Sequence, residues 1–215
     1  THSSHIAIET TFGNLRYFKR LPEGTECAVA TSKVINLSDV FGDSDQTNKF
    51  VTRYLQSTHC DLFFADAAIL VEGVAESMLL PHFIRSKFPE LYQRYITILG
   101  VNGRHAHRLS PLIEKLCLPT LVITDLDPAE KEGYHKSVVP KRGEGQISGN
   151  YAIAKWLMKE KDIDKLVDYS EDKKEFSFAS PYRFSIRLAY QTPVKVDFEG
   201  EEKEAIPGTF EDCLI

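Results

Sequence analysis

From residue 67 the chain alternates between short apolar segments and longer helical stretches, and this alternation constrains the fold most. The apolar segments are "AAILVEG", "YITILGVNG" and "PTLVITDLD", and the helical stretches are "VAESMLLPHFIRSKF", "RLSPLIEKLCL" and "ISGNYAIAKWLMKEK". Strands that alternate with helices of these lengths are typical of βαβ units. The pattern therefore predicts an α/β fold with a parallel sheet flanked by helices, and "YRFSIRLAYQTPVKVDF" adds one or two C-terminal strands.

Local signals refine these helices and the domain limits. Pro81 is expected to shorten or kink the first helix, because proline lacks a backbone N–H. Ser110 and Pro111 are expected to be the N-cap and first residue of the second helix. Residues 1–65 are predicted to form an N-terminal linker segment, in which "NKFVTRYLQSTHCDLFFA" has the spacing of an amphipathic helix. Residues 66–215 are predicted to be the α/β domain.

Composition narrows the class of protein. The 215 residues are enough for one full-size domain, and the net charge of -5 argues against a surface coated with basic residues, although a local basic patch remains compatible with it. The four cysteines are far apart, which favours reduced thiols in a cytoplasmic protein. Since no apolar run is long enough to cross a bilayer, no membrane partner is expected.

Carboxylates stand where two of the predicted strands end. Glu72 follows the first strand, and Asp125 and Asp127 follow the third. In open α/β sheets, ligands bind outside the carboxyl ends of the strands. Residues two apart in an extended segment point the same way, so the two aspartates are expected to converge. Gly73 is expected to allow a sharp turn, after which Glu76 faces back from the first helical turn.

Such a cluster of acids requires something that compensates its negative charge. Carboxylates that share a site repel one another unless a cation is bound, and a set of oxygen ligands suits Mg²⁺ or Mn²⁺. Two such ions can hold the attacking and leaving oxygens of a phosphoryl displacement. The alternative is that each acid is solvated or caps a helix, and for Glu76 alone both interpretations stand.

The motifs "LVEG" and "ITDLD" resemble those of a Toprim domain, the catalytic module of topoisomerases, primases and several nucleases. The chain is similar in particular to the overcoming-lysogenisation-defect (OLD) family, and the similarity covers roughly residues 48–215. The segments that carry it are "RYLQSTHCDLFFADAAILVEGVAESMLLP", "SGNYAIAKWL", "AYQTP" and "TFEDCLI". This resemblance implies a Rossmann-like Toprim fold and a metal-dependent DNA endonuclease used in phage defence or DNA processing.

The resemblance also implies roles for individual residues. It assigns two Mg²⁺ or Mn²⁺ ions to Glu72, Glu76, Asp125 and Asp127, and gives Glu72 a second role in proton transfer. Lys155 falls where these nucleases carry a basic residue near the scissile phosphate, with an exposed helical lysine as the alternative. Glu211 is assigned as a further metal ligand, with a solvated or capping role as the alternative.

In the OLD family an ABC-type ATPase domain precedes the Toprim domain. The opening "THSSHIA" resembles the histidine switch of such an ATPase, with His2 as its histidine, and no GxxxxGK[ST] phosphate loop occurs in these residues. The chain is therefore expected to be the C-terminal part of a longer protein. ATP is expected only through the ATPase domain, which would also mediate any homo-oligomer.

Other polar segments remain open. His105 and His107 in "RHAHR" are expected to lie in a polar loop. The segment "PAEKEGYHKSVVPKRGEGQ" is predicted to be either a solvated loop or a basic arm over DNA phosphates, and its cations are Lys131, Lys136, Lys141 and Arg142. Two rival functions stay open as well: a topoisomerase or primase Toprim chemistry, and a noncatalytic Toprim module that binds DNA or proteins.

Overall fold

The computed structural model describes residues 14–21, 29–40, 60–101, 105–131, 137–179 and 182–214. Its first element is an antiparallel hairpin of β1 (Arg16–Leu21) and β2 (Thr31–Asn36). The hairpin does not stand apart from the rest, because Ile35 and Leu37 belong to the main hydrophobic core. Lys19 Nζ also donates hydrogen bonds to the carbonyls of Leu116 (2.5 Å) and Cys117 (3.0 Å). The domain boundary after residue 65 stays a prediction.

The amphipathic helix predicted over residues 48–65 lies mostly outside the described residues, as does His2. Its described end, Cys60–Phe63, forms a 3₁₀ turn in which Cys60, Leu62 and Phe63 are buried. The chain continues from this buried turn into the central sheet.

Five strands form the central sheet. The order across it is β4, β3, β5, β9, β8. The first four are parallel to one another, and the edge strand β8 pairs antiparallel with β9. The bounds are β3 (Ala67–Val71), β4 (Ile96–Gly100), β5 (Thr120–Ile123), β8 (Glu175–Phe178) and β9 (Phe184–Ala189). The expected α/β Toprim sheet is thus confirmed, as a mixed sheet in which parallel pairing dominates.

Buried apolar residues explain the central strands. Leu70, Val71, Val122, Ile186 and Leu188 are fully buried, as expected for strands covered on both faces. The register pairs Leu70 with Val122 and Val122 with Leu188, so these side chains stack in one layer across the sheet.

The helices between the strands differ in detail from the sequence-based expectation. Helix α1 (Val74–Lys87) continues past Pro81 to Lys87, so proline does not shorten it. After the short α2 (Pro89–Tyr92), helix α3 (Ser110–Leu116) begins one residue earlier than predicted. Ser110 is its first residue rather than its N-cap, because a 3₁₀ turn runs directly into the helix and the Ser110 hydroxyl donates back to His107 O (2.8 Å).

The predicted helix over residues 147–161 is wrong for most of its length. Residues Ile147–Ser148 form β7, which pairs antiparallel with β6 (Pro128–Ala129) just after the central strand β5. Only Ala152–Trp156 is helical, as a single π-helical turn, and α4 (Ile163–Val167) follows. Pairing with β6 takes the backbone of residues 147–148 out of any helix, and helical side-chain spacing cannot reveal such a long-range contact.

The predicted C-terminal strands are present. β9 completes the central sheet, and β10 (Val194–Phe198) and β11 (Glu201–Ala205) form a separate antiparallel hairpin. A 3₁₀ turn, Glu211–Leu214, follows it. Cys60, Cys117 and Cys213 are free thiols. Within the described ranges, no helix is both long enough and apolar enough to cross a bilayer.

Candidate functional site

The topology of the parallel strands brings three polar chain segments to one edge of the sheet. Glu72 follows β3, residues 124–127 follow β5, and Gln191 lies two residues after β9. Because β3, β5 and β9 are neighbouring parallel strands, their carboxyl ends meet at this edge. Asn150 joins them from the segment after β7. We call Glu72, Glu76, Asp125 and Asp127 the acidic cluster.

Glu72 accepts hydrogen bonds from two neighbouring side chains. Its Oε1 accepts hydrogen bonds from the hydroxyl of Thr124 and from Asn150 Nδ2 (2.6 Å). Burial raises the pKa of Glu72 to about 7; the hydrogen bond from Asn150 opposes that rise, and the charges of Asp127 and Asp125 add to it. A carboxylate with so high a pKa is a group for which a bound cation would be a favourable neighbour.

Asp125 has a similar arrangement with a different partner. Gln191 Nε2 donates to Asp125 Oδ1, while Gln191 Oε1 accepts from the backbone N–H of Leu126 (2.9 Å). Burial raises the pKa of Asp125 to about 6; the Gln191 hydrogen bond opposes the rise, and the charges of Asp127, Glu76 and Glu211 add to it. Three separate acids therefore contribute to the raised pKa of Asp125.

Glu76 is the one fully buried residue of α1, with only 3% of its surface exposed. Its Oε2 atom is buried and has no hydrogen-bond partner among the described residues. Gly73 explains how the carboxylate fits, because a Cβ at Gly73 would lie 2.5 Å from Glu76 Oε2. The chain does bend at residues 72–73, but Gly73 has extended backbone (φ -114°), so this bend does not require the conformational freedom of glycine. Close approach, and not backbone freedom, favours glycine here.

Asp127 turns the chain away from β5. It adopts a left-handed conformation (φ 47°), and Leu126 between the two aspartates is fully buried. Asp125 and Asp127 are therefore both partly exposed on either side of a buried residue, although the segment is not a regular strand. Asn150 Nδ2 approaches Asp127 Oδ2 at 3.4 Å, which links this aspartate to Glu72.

The residues fit a divalent cation in their chemistry but are not gathered around a single point. Among the residues that the structure describes, no three His, Cys, Asp or Glu side chains form a group able to hold a metal ion. The donors are all oxygens, which suit Mg²⁺ or Mn²⁺. The buried Glu76 Oε2 has no hydrogen-bond partner among the described residues, and a buried polar oxygen without a partner is costly.

Lys155 and Glu211 differ in whether they interact with this cluster. Lys155 is exposed on the π-helical turn, with Nζ 4.1 Å from the ring centre of Tyr151, a cation–π contact. Within the described ranges no contact joins Lys155 to the acidic cluster. Glu211 is exposed in the C-terminal turn, and its charge is one of those that raise the pKa of Asp125.

Two open grooves flank the segment of residues 137–139. One, of about 750 Å³, has Asp125 and Asp127 at one side and Val194, Val196 and Ile206 among its apolar walls. The other, of about 840 Å³, is lined by the basic segment and includes Lys131 and Lys141 beside acidic residues. The first groove opens directly onto the acidic cluster.

The remaining polar residues singled out from the sequence have local partners or lie outside the described part. Arg142 is bound in two ion pairs, with Asp168 (2.8 Å) and Glu204 (2.5 Å), so its guanidinium is engaged within the fold. The ring of His107 packs edge-on against Tyr151, with 5.4 Å between centres. Lys136 lies outside the described residues.

Three residues of the site escaped the sequence analysis: Thr124, Asn150 and Gln191. All three are buried, and each places a side-chain donor on a carboxylate of the acidic cluster. The position of Thr124, directly before Asp125 at a strand end, was an available signal. Asn150 and Gln191 carried no such signal, because their contacts span 78 and 66 residues of sequence.

Comparison with known proteins gives a family match and a similar protein. Residues 63–127 match the family model described as "Overcoming lysogenization defect protein-like, TOPRIM domain", which covers β3 to the end of the Asp125–Asp127 segment. The chain is also 27% identical over 229 aligned positions to "Endonuclease GajA" of Bacillus cereus (strain HuB5-5). That alignment covers 100% of this chain and 30% of the relative. The chain therefore spans under a third of that protein's length. Residues 63–127 of the chain are thus similar to the OLD-like Toprim domain family.

Proposed function

We propose that the domain is a Mg²⁺- or Mn²⁺-dependent endonuclease that hydrolyses DNA phosphodiester bonds at the acidic cluster. The observation that carries the proposal is that Glu72, Asp125, Asp127 and a buried, unpartnered Glu76 oxygen lie along the carboxyl edge of one sheet. The similarity to a protein named an endonuclease supports the same class of reaction.

Each acid has a defined part in this proposal. Glu76, Asp125 and Asp127 would hold the ions, and Glu211 would be a further ligand beside Asp125. Glu72 would combine metal binding with proton transfer. Bound divalent cations would activate water and neutralise charge on the phosphate oxygens.

The groove beside Asp125 and Asp127 supports a polymeric substrate, because it is open and leaves room for a strand to pass the acids. Lys155 and the exposed Lys131 and Lys141 are the cations proposed to contact phosphates, and Arg142 is set aside because its two ion pairs engage it. The ammonium of Lys155 would have to leave the Tyr151 ring to reach a phosphate near the cluster.

Features of the larger protein are part of the proposal. The resemblance to the OLD family suggests an ABC-type ATPase domain as partner, ATP binding in that domain, and homo-oligomers formed through it. The 30% coverage of the relative is consistent with such an arrangement. The same resemblance supports a role in phage defence, and the widely spaced cysteines support a cytoplasmic location.

Plasmid digestion tests the proposed reaction. Supercoiled DNA is incubated with the chain in Mg²⁺, Mn²⁺, Ca²⁺ or EDTA, and the products are separated by electrophoresis. We expect nicked or linear DNA with Mg²⁺ or Mn²⁺ and intact plasmid with EDTA. Asp125→Asn should abolish cutting. Glu90→Gln, which changes an exposed acid in the short helix α2, is the matched control and should cut normally.

The same gel separates the rival functions. A topoisomerase would give a ladder of closed topoisomers without nicked product. A noncatalytic module would retard DNA in Ca²⁺ and leave it uncut with every metal. Equal cutting in EDTA would contradict the metal-dependent mechanism.

A further inference from the structure

We propose that Asn150 and Gln191 are positioning residues that fix the carboxylates of Glu72 and Asp125 for divalent metal ions. This inference rests on the proposed function, since it concerns the same acids. It assigns the two amides a role in metal affinity, beyond that of stabilising the fold.

The two amides have the same hydrogen-bond arrangement. Asn150 Oδ1 accepts from the backbone N–H of Ala152 (2.9 Å), and Gln191 Oε1 accepts from the backbone N–H of Leu126 (2.9 Å). A backbone N–H can only donate, so in each residue the oxygen must face it and the NH₂ group must face the other way. In both residues the NH₂ group donates to a carboxylate of the acidic cluster. The orientation of each amide is therefore set by the protein backbone.

Burial makes these orientations firm. Asn150 is fully buried, and Gln191 is 5% exposed. Water therefore cannot readily replace either amide as a donor. Reversing the Asn150 amide would place its oxygen against Glu72 and its NH₂ against an N–H donor, two unfavourable contacts in a buried site.

The contacts of Asn150 determine which oxygen of Glu72 remains for a cation. Glu72 Oε1 accepts from both Asn150 and the Thr124 hydroxyl, and Thr124 Oγ1 in turn accepts from Asn150 Nδ2 (2.7 Å). Both side-chain hydrogen bonds to Glu72 fall on Oε1, so Oε2 receives neither of these donors and is the oxygen proposed to bind metal. Asn150 also reaches Asp127 Oδ2 at 3.4 Å, so it spans the ligands that follow β3 and β5.

A purely local role for Asn150 would be capping, because its acceptance from Ala152 N–H is a common turn contact. Asn150→Ser separates the two roles. Serine retains an oxygen that can accept from the N–H two residues on, but it has no amide to reach Glu72. Asn36→Ser is the matched control, because Asn36 accepts from Ser38 N–H (3.2 Å) with the same spacing and lies in the N-terminal hairpin segment.

The experiment is a Mn²⁺ titration of the 215-residue chain, with free Mn²⁺ followed by electron paramagnetic resonance. Far-UV circular dichroism in EDTA checks that each variant folds. We expect Asn150→Ser to raise the Kd for Mn²⁺ by roughly 10- to 100-fold, the usual cost of losing a hydrogen-bond partner of a metal ligand, and Asn36→Ser to leave it unchanged. If Asn150→Ser does not fold, Gln191→Met, which has similar size and no donor, carries the test with the same expected rise.

The outcomes distinguish this inference from the proposed function. If the unmodified chain binds Mn²⁺ and the folded amide variant binds it equally well, the positioning role is overturned and the metal site stands. An equal loss in Asn150→Ser and Asn36→Ser would also overturn it, as a capping effect. If the unmodified chain binds no Mn²⁺, both the inference and the proposed metal site fail.

Discussion

The metal-free domain should lose stability as pH rises, and removing the charge of Glu72 should prevent much of that loss. Burial raises the pKa of Glu72 from an ordinary 4.5 to about 7 in the folded state. Between these values the folded chain holds a proton that the unfolded chain has released. The free energy of unfolding therefore falls as pH rises from about 4.5 to about 7, and then levels off.

The size of the effect follows from the two pKa values. At about 1.4 kcal/mol for each pKa unit, the span from 4.5 to about 7 corresponds to about 3 kcal/mol. The acids of the cluster titrate together, so this figure is an upper value for Glu72 taken alone. Glu72→Gln keeps an oxygen acceptor for Thr124 and Asn150 but cannot ionise. In EDTA it should match the unmodified chain near pH 4.5 and exceed its stability by up to about 3 kcal/mol at pH 8.

Urea unfolding followed by circular dichroism at pH 4.5, 6 and 8, all in EDTA, measures this difference. Glu144→Gln, at an exposed glutamate, is the control and should follow the unmodified chain at every pH. Saturating Mn²⁺ should narrow or reverse the gap at pH 8, because a ligand at 100 times its Kd stabilises the state that binds it by about 2.7 kcal/mol. A gap between Glu72→Gln and the unmodified chain that does not change with pH would refute the reasoning.

Three further results are expected. Gly73→Ala should displace the Glu76 carboxylate and weaken Mn²⁺ binding about 10-fold in calorimetry. Gly100→Ala, whose new Cβ would meet Ser77 Oγ at 3.4 Å, should leave Mn²⁺ binding unchanged. Lys155→Ala should slow single-turnover DNA cleavage roughly 100-fold without changing Mn²⁺ affinity, and an unchanged rate would leave Lys155 as an exposed lysine on Tyr151. Arg142→Ala should lower the free energy of unfolding in urea by at most about 1 kcal/mol, because its partners Asp168 and Glu204 are largely exposed. It should also leave cleavage intact, and a large loss of cleavage would show that Arg142 belongs to the site.

The acids at the strand ends were predictable because the parallel order of β3 and β5 brings Glu72 and Asp125 to one edge. Local patterning carries that information, since apolar runs mark strands and the next residue marks their ends. The reason for Gly73 was not predictable, because it depends on where the Glu76 carboxylate folds back.

The amides and the segment around them required three-dimensional information. Asn150 and Gln191 meet the acids only after strands distant in sequence have paired, and neither occupies a position with a distinctive local pattern. The helix predicted over residues 147–161 failed for the same reason. Pairing of β7 with β6 overrides its helical spacing and delivers Asn150 to the site.

Anomalous X-ray scattering from crystals soaked in Mn²⁺ tests the central claim most directly, because it locates bound ions without reference to activity. The account predicts anomalous density at the carboxyl edge of the sheet, in contact with Glu76 Oε2 and with Asp125 or Asp127. It also predicts that this density disappears in Asp125→Asn crystals under the same soak. Density found only elsewhere, or none at the acidic cluster at saturating Mn²⁺, would contradict the claim that these acids form a metal site.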